Sequence, residues 1–562
     1  MKEIKEKIFA EGQSKVFAEW LLIMITLVGG LLFALYVYEL GLTLILVDQS
    51  AHLNIGRQVI DSITPGLSQI GFWPPLLHLL MFPFAAIDPL YESGLAGAAV
   101  LIPSLVLAAF FLYRLLFKFT NNWLASLMGA LALVINPYVL YYSVTPMMEV
   151  LYLANLLGVA YFLVRWFETE EAFYLVMLGI FTALVSMSRF EGFIVLPLVA
   201  ISIFLKLKQR KRNYHQIEAA VILYGFVAIL GIGFILGYGW FFGDSPFAFS
   251  SGDWSAYAQQ QELQPPSKGS PVISFDYLVY ASFYMLGKPQ VALVALSLFL
   301  LFFFPSLEVV AVFLILFSPF LFDWLALWRG DAIIYLPDLP PHAKFLNERY
   351  GLYWIAASIF LPIVVASLLS SRLKNHVSLN DLGRLLKLGV PISLFALGLI
   401  FFYQTVLFDD FKVVRISGEN YDREHEVALT EELREKYDYG KVLKTRALYN
   451  YLSVNSGLPL DAYIQETNYQ YYQQTLERPW LFARYVIMFN PSPENHLANE
   501  WTRQNEEISL RWGNSQTFLN YYDLIYENDV DRLYVLKEEA VREYAKIHAL
   551  DPEKIPSLNP LL

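Results

Sequence analysis

Apolar residues fill the first 407 positions in stretches of about 20, the length a helix needs to cross the hydrocarbon core of a bilayer, separated by short polar links. The stretches lie at roughly 20–47, 93–117, 122–141, 150–167, 173–188, 192–207, 217–242, 289–304, 307–328, 350–371 and 388–407, which predicts about eleven spans. Lys and Arg gather at Arg114 and Lys118, at Lys206 to Arg212, and at Arg372, Lys374, Arg384 and Lys387. Positive charge stays on the cytoplasmic side, so parity puts the N-terminus inside. The connections 48–92, 142–149, 189–191, 243–288 and 329–349, together with everything after residue 408, then face outward. Two apolar runs are too short to span: Pro74 to Ala86, opened by Trp73, Pro74 and Pro75, and the aromatic run Phe275 to Leu286. Both are expected as juxtamembrane helices at the outer interface.

Beyond residue 408 the pattern changes. Short β-like runs at Lys441 to Thr445, Arg484 to Phe489 and Arg532 to Leu536 alternate with polar, tyrosine-rich helical segments such as Asn468 to Glu477. The fold expected is therefore a polytopic α-helical membrane domain over 1–408, followed by a small soluble α/β domain over 409–562, large enough for its own core.

Composition sharpens this picture in two ways. The chain is 56% hydrophobic and only 16% charged, with mean hydropathy +0.44, which excludes an ordinary soluble multidomain protein. Its net charge of −11 sits mainly in the tail, where 17 Lys and Arg face 26 Asp and Glu, so nucleic acid is not an expected partner. There is no cysteine, which removes disulfides, Fe–S ligation and thiol chemistry and leaves no basis for a structural zinc site. The N-terminal run reads as an uncleaved anchor, because the apolar segment after it has no small-residue cleavage site.

Ionisable residues at span ends are the places to look for chemistry, with snorkelling as the ordinary alternative. Asp48, Glu149, Arg189, Glu191 and Arg349 all fall at the predicted outer interface. Asp48 leaves the first span with His52 one helical turn later, and the competing role is a helix N-cap. Glu149 follows Asn136-Pro137 and Pro146 and can equally be a solvated interfacial carboxylate; Arg189 and Glu191 can equally be a structural ion pair. Lys344 and Arg349 form a cationic set suited to an anionic headgroup, and His52 and His78 are further binding candidates. Asp529-Val530-Asp531 precedes a predicted strand and reads as a turn. No P-loop, nucleophile elbow, zincin motif or dinucleotide fingerprint is present, so no cofactor is expected, and the residues give no support for a divalent metal.

In order and sidedness, several pieces resemble the GT-C superfamily of polytopic glycosyltransferases, above all the protein O-mannosyltransferase and aminoarabinose-transferase branches and their archaeal and bacterial relatives. They are Asp48 after the first span, Trp73-Pro74-Pro75-Leu76, Pro137 followed by Glu149, Arg189-Phe190-Glu191-Gly192, and Glu348-Arg349-Tyr350, and they run through most of the first 407 residues. The resemblance implies a multi-pass plasma-membrane enzyme that moves a sugar, a hexose in the mannosyltransferase branch, from a polyprenyl-phosphate-linked donor. The acceptor, a hydroxyl on a protein, glycan or lipid, lies on the outer face, and the displacement inverts the anomeric centre. It also implies Asp48 as the base, with Glu149 the second catalytic candidate, and Arg349, helped by Lys344 or Arg189, on the departing phosphate. Two features depart from the pattern. Gln49 follows Asp48 where protein O-mannosyltransferases have Glu, so the acceptor class does not carry over, and the W-W-D-Y-G signature of oligosaccharyltransferases is missing. The competing classes are a secondary transporter, which predicts inverted repeats and mid-membrane charges, a lipid-linked sugar flippase, and a membrane-anchored sensor.

Overall fold

The structure is a computed structural model that describes residues 2–71, 73–243, 245–251, 265–303, 305–373, 380–419, 424–446, 448–490 and 506–539. Lys374 of the expected basic loop and residues 252–264 of the 243–288 connection lie outside them. The chain divides into two compact units. The first takes Met1–Thr43, Pro74–Leu77 and Gly97–Ser417, and the second takes Leu44–Trp73, His78–Ala96 and Gly418–Leu562.

Each of the eleven predicted stretches contains a helix, although the first helix ends at Glu39 and residues 44–47 of the 20–47 stretch belong to the second unit. Among the described residues eight helices are long and apolar enough to cross a membrane, or ten if each of two bent pairs is one span. The remaining predicted span, Ala172–Ser188, is a helix of 17 residues. One bent pair, Trp123–Val134 with Pro137–Val144, turns through 62°. Proline cannot donate to the preceding turn, and Asn136 caps the new helix by accepting from the backbone N–H groups of Tyr138 and Val139, each at 3.0 Å. The other pair, Pro271–Leu286 with Lys288–Leu301, turns through 120°. Its hinge is Gly287 at φ +85°, a left-handed conformation that glycine adopts at no steric cost. The run Phe275 to Leu286, expected as a separate interfacial helix, is therefore one arm of a bent pair: Gly287 lets the chain reverse without a polar loop.

Leu307–Arg329 carries Pro319 in its interior. The Ile315 carbonyl loses its intrahelical donor there and instead accepts from the Ser318 hydroxyl at 2.7 Å, so the helix continues without an orphaned acceptor.

The second unit is built on a five-stranded sheet in the order β2-β1-β3-β5-β4. The strands are β1 (Val442–Leu443), β2 (Tyr463–Ile464), β3 (Tyr485–Phe489), β4 (Tyr522–Glu527) and β5 (Asp531–Leu536). β1 runs parallel to β2 and β3, whereas β5 is antiparallel to β3 and β4. The three predicted β-runs supply β1, β3 and β5. Leu443, Ile464, Val486, Met488 and Tyr534 from the sheet meet Tyr472, Phe518 and Tyr522 in one buried core. The D-x-D forms the β4–β5 turn, where Asn528 Oδ1 accepts from the backbone N–H groups of Val530 and Asp531.

The expected boundary at residue 408 is displaced. The division falls between Ser417 and Gly418, and Leu44–Trp73 and His78–Ala96 belong with the tail. The reason is polar pairing that no hydropathy pattern reports. Asn54 Nδ2 donates to the Asn450 carbonyl at 2.8 Å, and the Tyr91 hydroxyl donates to Asn54 Oδ1 at 2.5 Å. Asn468 Nδ2 donates to Ser62 Oγ and Thr64 Oγ1, each at 3.2 Å, and Gln69 Nε2 donates to the Thr467 carbonyl at 3.1 Å.

Candidate functional site

Within the first unit three chain segments bring their charges together. Glu149 opens the helix Glu149–Thr169 and is buried, with its Oε1 at the centre of the cluster. Arg189 Nη1 donates to that oxygen at 3.3 Å, the Tyr353 hydroxyl donates to it at 3.3 Å, and Arg349 Nε lies 3.6 Å away. Arg189 also places Nε and Nη2 against Glu191 Oε1 at 2.8 Å, and its guanidinium stacks 4.2 Å from the Tyr353 ring centre. Asn155 Nδ2 donates to Ser188 Oγ at 3.1 Å, tying the helix that carries Glu149 to the one that ends at Arg189.

Two glycines allow this approach. Gly192, in the turn after Arg189, sits so close to the Val185 carbonyl that a Cβ would lie 2.6 Å from it. Gly351 follows Arg349, and a Cβ there would be 2.3 Å from the backbone of Ala281. Any side chain at either position would push an arginine out of the cluster. Arg349 is set further by Asn347, which holds a left-handed φ of +56°, a conformation asparagine tolerates. Asn347 donates from Nδ2 to the Ile333 carbonyl at 2.9 Å and accepts from Arg349 Nη2 at 3.3 Å.

Arg189 is clamped between two carboxylates and an aromatic face. Arg349 contacts Asn347 Oδ1 at 3.3 Å and lies 3.6 Å from Glu149 Oε1, and the planar fork of its guanidinium suits an oxyanion. Lys344, expected beside it, is exposed and makes no ion pair among the described residues. Three neighbours were not among the sequence candidates. Glu348 is buried and its Oε2 accepts from Ser417 Oγ at 3.4 Å. Tyr353 closes on Glu149, and Asp323 is buried within electrostatic reach of Arg189 and Glu191. A lone acid in the 23-residue apolar helix Leu307–Arg329 was the signal that could have found Asp323.

Asp48, His52 and His78 belong to the second unit. Asp48 lies in the first turn of the helix Val47–Gln58, whose N-cap is Leu46, and Gln49 Oε1 accepts from the Leu46 N–H at 2.8 Å. The cap role weighed against Asp48 is therefore filled by its neighbours, and the carboxylate sits at the positive end of the helix dipole. His52 Nδ1 and His78 Nε2 are 2.9 Å apart, with the Trp73 ring 4.3 Å from His52. Burial, reinforced by the nearby His52 and Arg446, pushes the His78 imidazole well below the ordinary histidine range, and the tautomers of the two rings set which of them donates. Among the described residues no group of three His, Cys, Asp or Glu side chains is arranged to hold a metal ion.

No family profile and no curated protein matches the chain by sequence. Solved structures do. ArnT from Cupriavidus metallidurans, in complex with undecaprenyl phosphate, superposes with a TM-score of 0.51 at 11% identity, over 90% of this chain and 98% of that one. The chain has the GT-C fold. The archaeal oligosaccharyltransferase AglB from Archaeoglobus fulgidus, solved with an inhibitory peptide and a dolichol-phosphate, gives a TM-score of 0.43 at 12% identity, over 92% of this chain and 72% of that one. With the GT-C fold established at such low identity, the placing of side chains rests on this structure alone.

Proposed function

We propose that the protein is an integral-membrane glycosyltransferase that moves a sugar from a polyprenyl-phosphate-linked donor to an acceptor hydroxyl, with inversion at the anomeric carbon. The observation that carries this reading is the pair of arginines, Arg189 and Arg349, drawn to one oxygen of Glu149 inside a membrane domain. Partly buried guanidiniums are costly unless they serve an anion, and a lipid phosphate is an anion delivered from within the bilayer. The likeness to ArnT, which binds undecaprenyl phosphate, supports the donor class.

In this mechanism Arg349 receives the phosphate and stabilises the negative charge that builds on it as the bond from the anomeric carbon to the phosphate oxygen breaks. The acceptor oxygen attacks from the opposite face, and its proton passes to the Asp48 carboxylate, so the products are the glycosylated acceptor, the prenyl phosphate and a protonated Asp48. Glu149, held by hydrogen bonds from Arg189 and Tyr353 with Arg349 3.6 Å away, takes an organising role: it sets the orientation of both guanidiniums. Arg189 acts through Glu149 and Glu191 as a positioning residue.

The test is Asp48→Asn. The amide cannot accept a proton at working pH, so transfer should fall by about 10² to 10⁴-fold while thermal stability and prenyl-phosphate binding hold. Turnover within threefold of the parent would remove Asp48 as the base.

The same reading puts the N-terminus in the cytoplasm and the C-terminal domain outside the plasma membrane, because the basic clusters mark the inner face. Protease added to right-side-out vesicles should cut the tail; cleavage only after lysis would reverse the orientation.

A further inference from the structure

Four buried polar atoms around the Glu149 cluster have no hydrogen-bond partner among the described residues: Asp323 Oδ2, Tyr152 OH, Glu149 Oε2 and Tyr142 OH. Each belongs to a residue no more than 3% exposed. Leaving such atoms unpaired in a bilayer-embedded domain is unfavourable, and four of them around one centre call for a common explanation. They do share a neighbourhood. Tyr152 is within electrostatic reach of Asp323, Glu191 and Arg189, and Tyr142 of Glu348, Arg349 and Glu149. The Tyr152 ring stands edge-on to Tyr353, 6.4 Å between centres, and Tyr353 in turn donates to Glu149. The helix that carries Asp323, Leu307–Arg329, packs directly on Glu149–Thr169, which carries both Glu149 and Tyr152.

The chemistry of these atoms selects among the parts of the donor. A phosphate offers only acceptor oxygens, which two carboxylate oxygens repel. A prenyl chain offers no polar group at all. A sugar ring offers several hydroxyls, each able to donate to a carboxylate and to give or take with a phenol, and its C–H faces suit aromatic walls. We propose that Asp323 and Tyr152, with Glu149 Oε2 and Tyr142, form a subsite that reads the hydroxyls of the transferred sugar, beside the arginine that takes its phosphate. This rests on the donor reading given above. It adds that sugar recognition comes from the helix Leu307–Arg329, none of whose residues was a candidate from sequence.

The subsite is tested by equilibrium binding to the full-length protein in nanodiscs, comparing bare undecaprenyl phosphate with undecaprenyl phosphate carrying glucose, mannose or xylose. Parent protein should hold at least one sugar-bearing lipid tenfold or more tighter than the bare lipid. Asp323→Asn should erase most of that advantage while bare-lipid binding stays within twofold. Tyr152→Phe, which removes one oxygen and keeps the ring, should act in the same direction and carries the test if the Asp323 variant fails to fold. Equal effects on both lipids, or no sugar-bearing lipid held tighter than the bare one, would overturn the subsite and leave the donor reading standing. Failure of the parent protein to bind bare undecaprenyl phosphate would overturn both.

Discussion

Glu149 and Arg189, forty residues apart in the chain, meet at 3.3 Å through the same carboxylate oxygen that Arg349 approaches at 3.6 Å. One anion thus serves two cations. Removing one partner of a buried ion pair typically costs about 3 to 5 kcal/mol, because the other charge is left uncompensated. Glu149→Gln should lower thermal stability accordingly, and adding Arg349→Ala to it should recover part of the loss. Strict additivity of the two substitutions in a double-mutant cycle on melting temperature would show that the carboxylate is not shared.

Arg349→Ala should weaken binding of a prenyl-phosphate donor by about 1.5 to 3 kcal/mol, the range for one charge-assisted hydrogen bond, with a smaller loss for Arg349→Lys. Lysine keeps the charge and loses the planar fork. Titration calorimetry with undecaprenyl phosphate reads the difference directly. Alanine and parent proteins binding alike would reduce Arg349 to an interfacial anchor.

The second unit makes a prediction in pH. Lys444 follows β1, is almost fully buried, donates to Gln465 Oε1 at 3.1 Å and makes no ion pair among the described residues. Burial lowers its ammonium to about 8, with Glu466 and Glu426 offsetting only part of that cost. At this site the unfolded chain binds more protons than the folded one between about 8 and 10.5, so Lys444 contributes a stability that rises with pH across that window. Buried tyrosines of the same unit, Tyr449 and Tyr522 among them, are raised above their ordinary value and contribute the opposite slope as pH approaches 10, so the Lys444 contribution is read as the difference between the parent and Lys444→Met. Between pH 8 and 9.5 that difference should grow in favour of the parent by up to about 1.4 kcal/mol per unit. A difference that stays flat or falls over this interval would contradict the assignment.

Hydropathy was enough to locate the long apolar helices of the first unit, because a bilayer leaves the backbone few alternatives. It was also enough for Glu149, Arg189, Glu191 and Arg349, since charges at the ends of apolar runs stand out. Angles were harder. Asn136-Pro137 and Gly287 mark breaks in the sequence, but nothing there says that the chain bends by 62° at one and 120° at the other. Asp323 was passed over because Phe320-Leu321-Phe322 and Trp324-Leu325 bury it in an apolar run, where a single acid barely changes the average. The membership of Leu44–Trp73 in the tail unit was beyond reach for a different reason. It depends on side-chain amides and hydroxyls such as Asn468, Ser62 and Thr64, whose pairing spans some 400 positions and leaves no periodic trace.

The bond from Asn54 to Asn450 has a temporal side. Its two residues are separated by 396 positions. At about 5 to 20 residues per second, a ribosome needs roughly 20 to 80 s to make the intervening chain. For that interval the segments around Asp48, His52 and His78 exist without the strands and side chains that complete their unit. Only once the stretch from Asn450 to Asn468 has been made can Asn54, Ser62, Thr64 and Gln69 find their partners. The segments around Asp48 are therefore made long before the residues that complete their unit, and must wait, unpaired, for a fold that closes late.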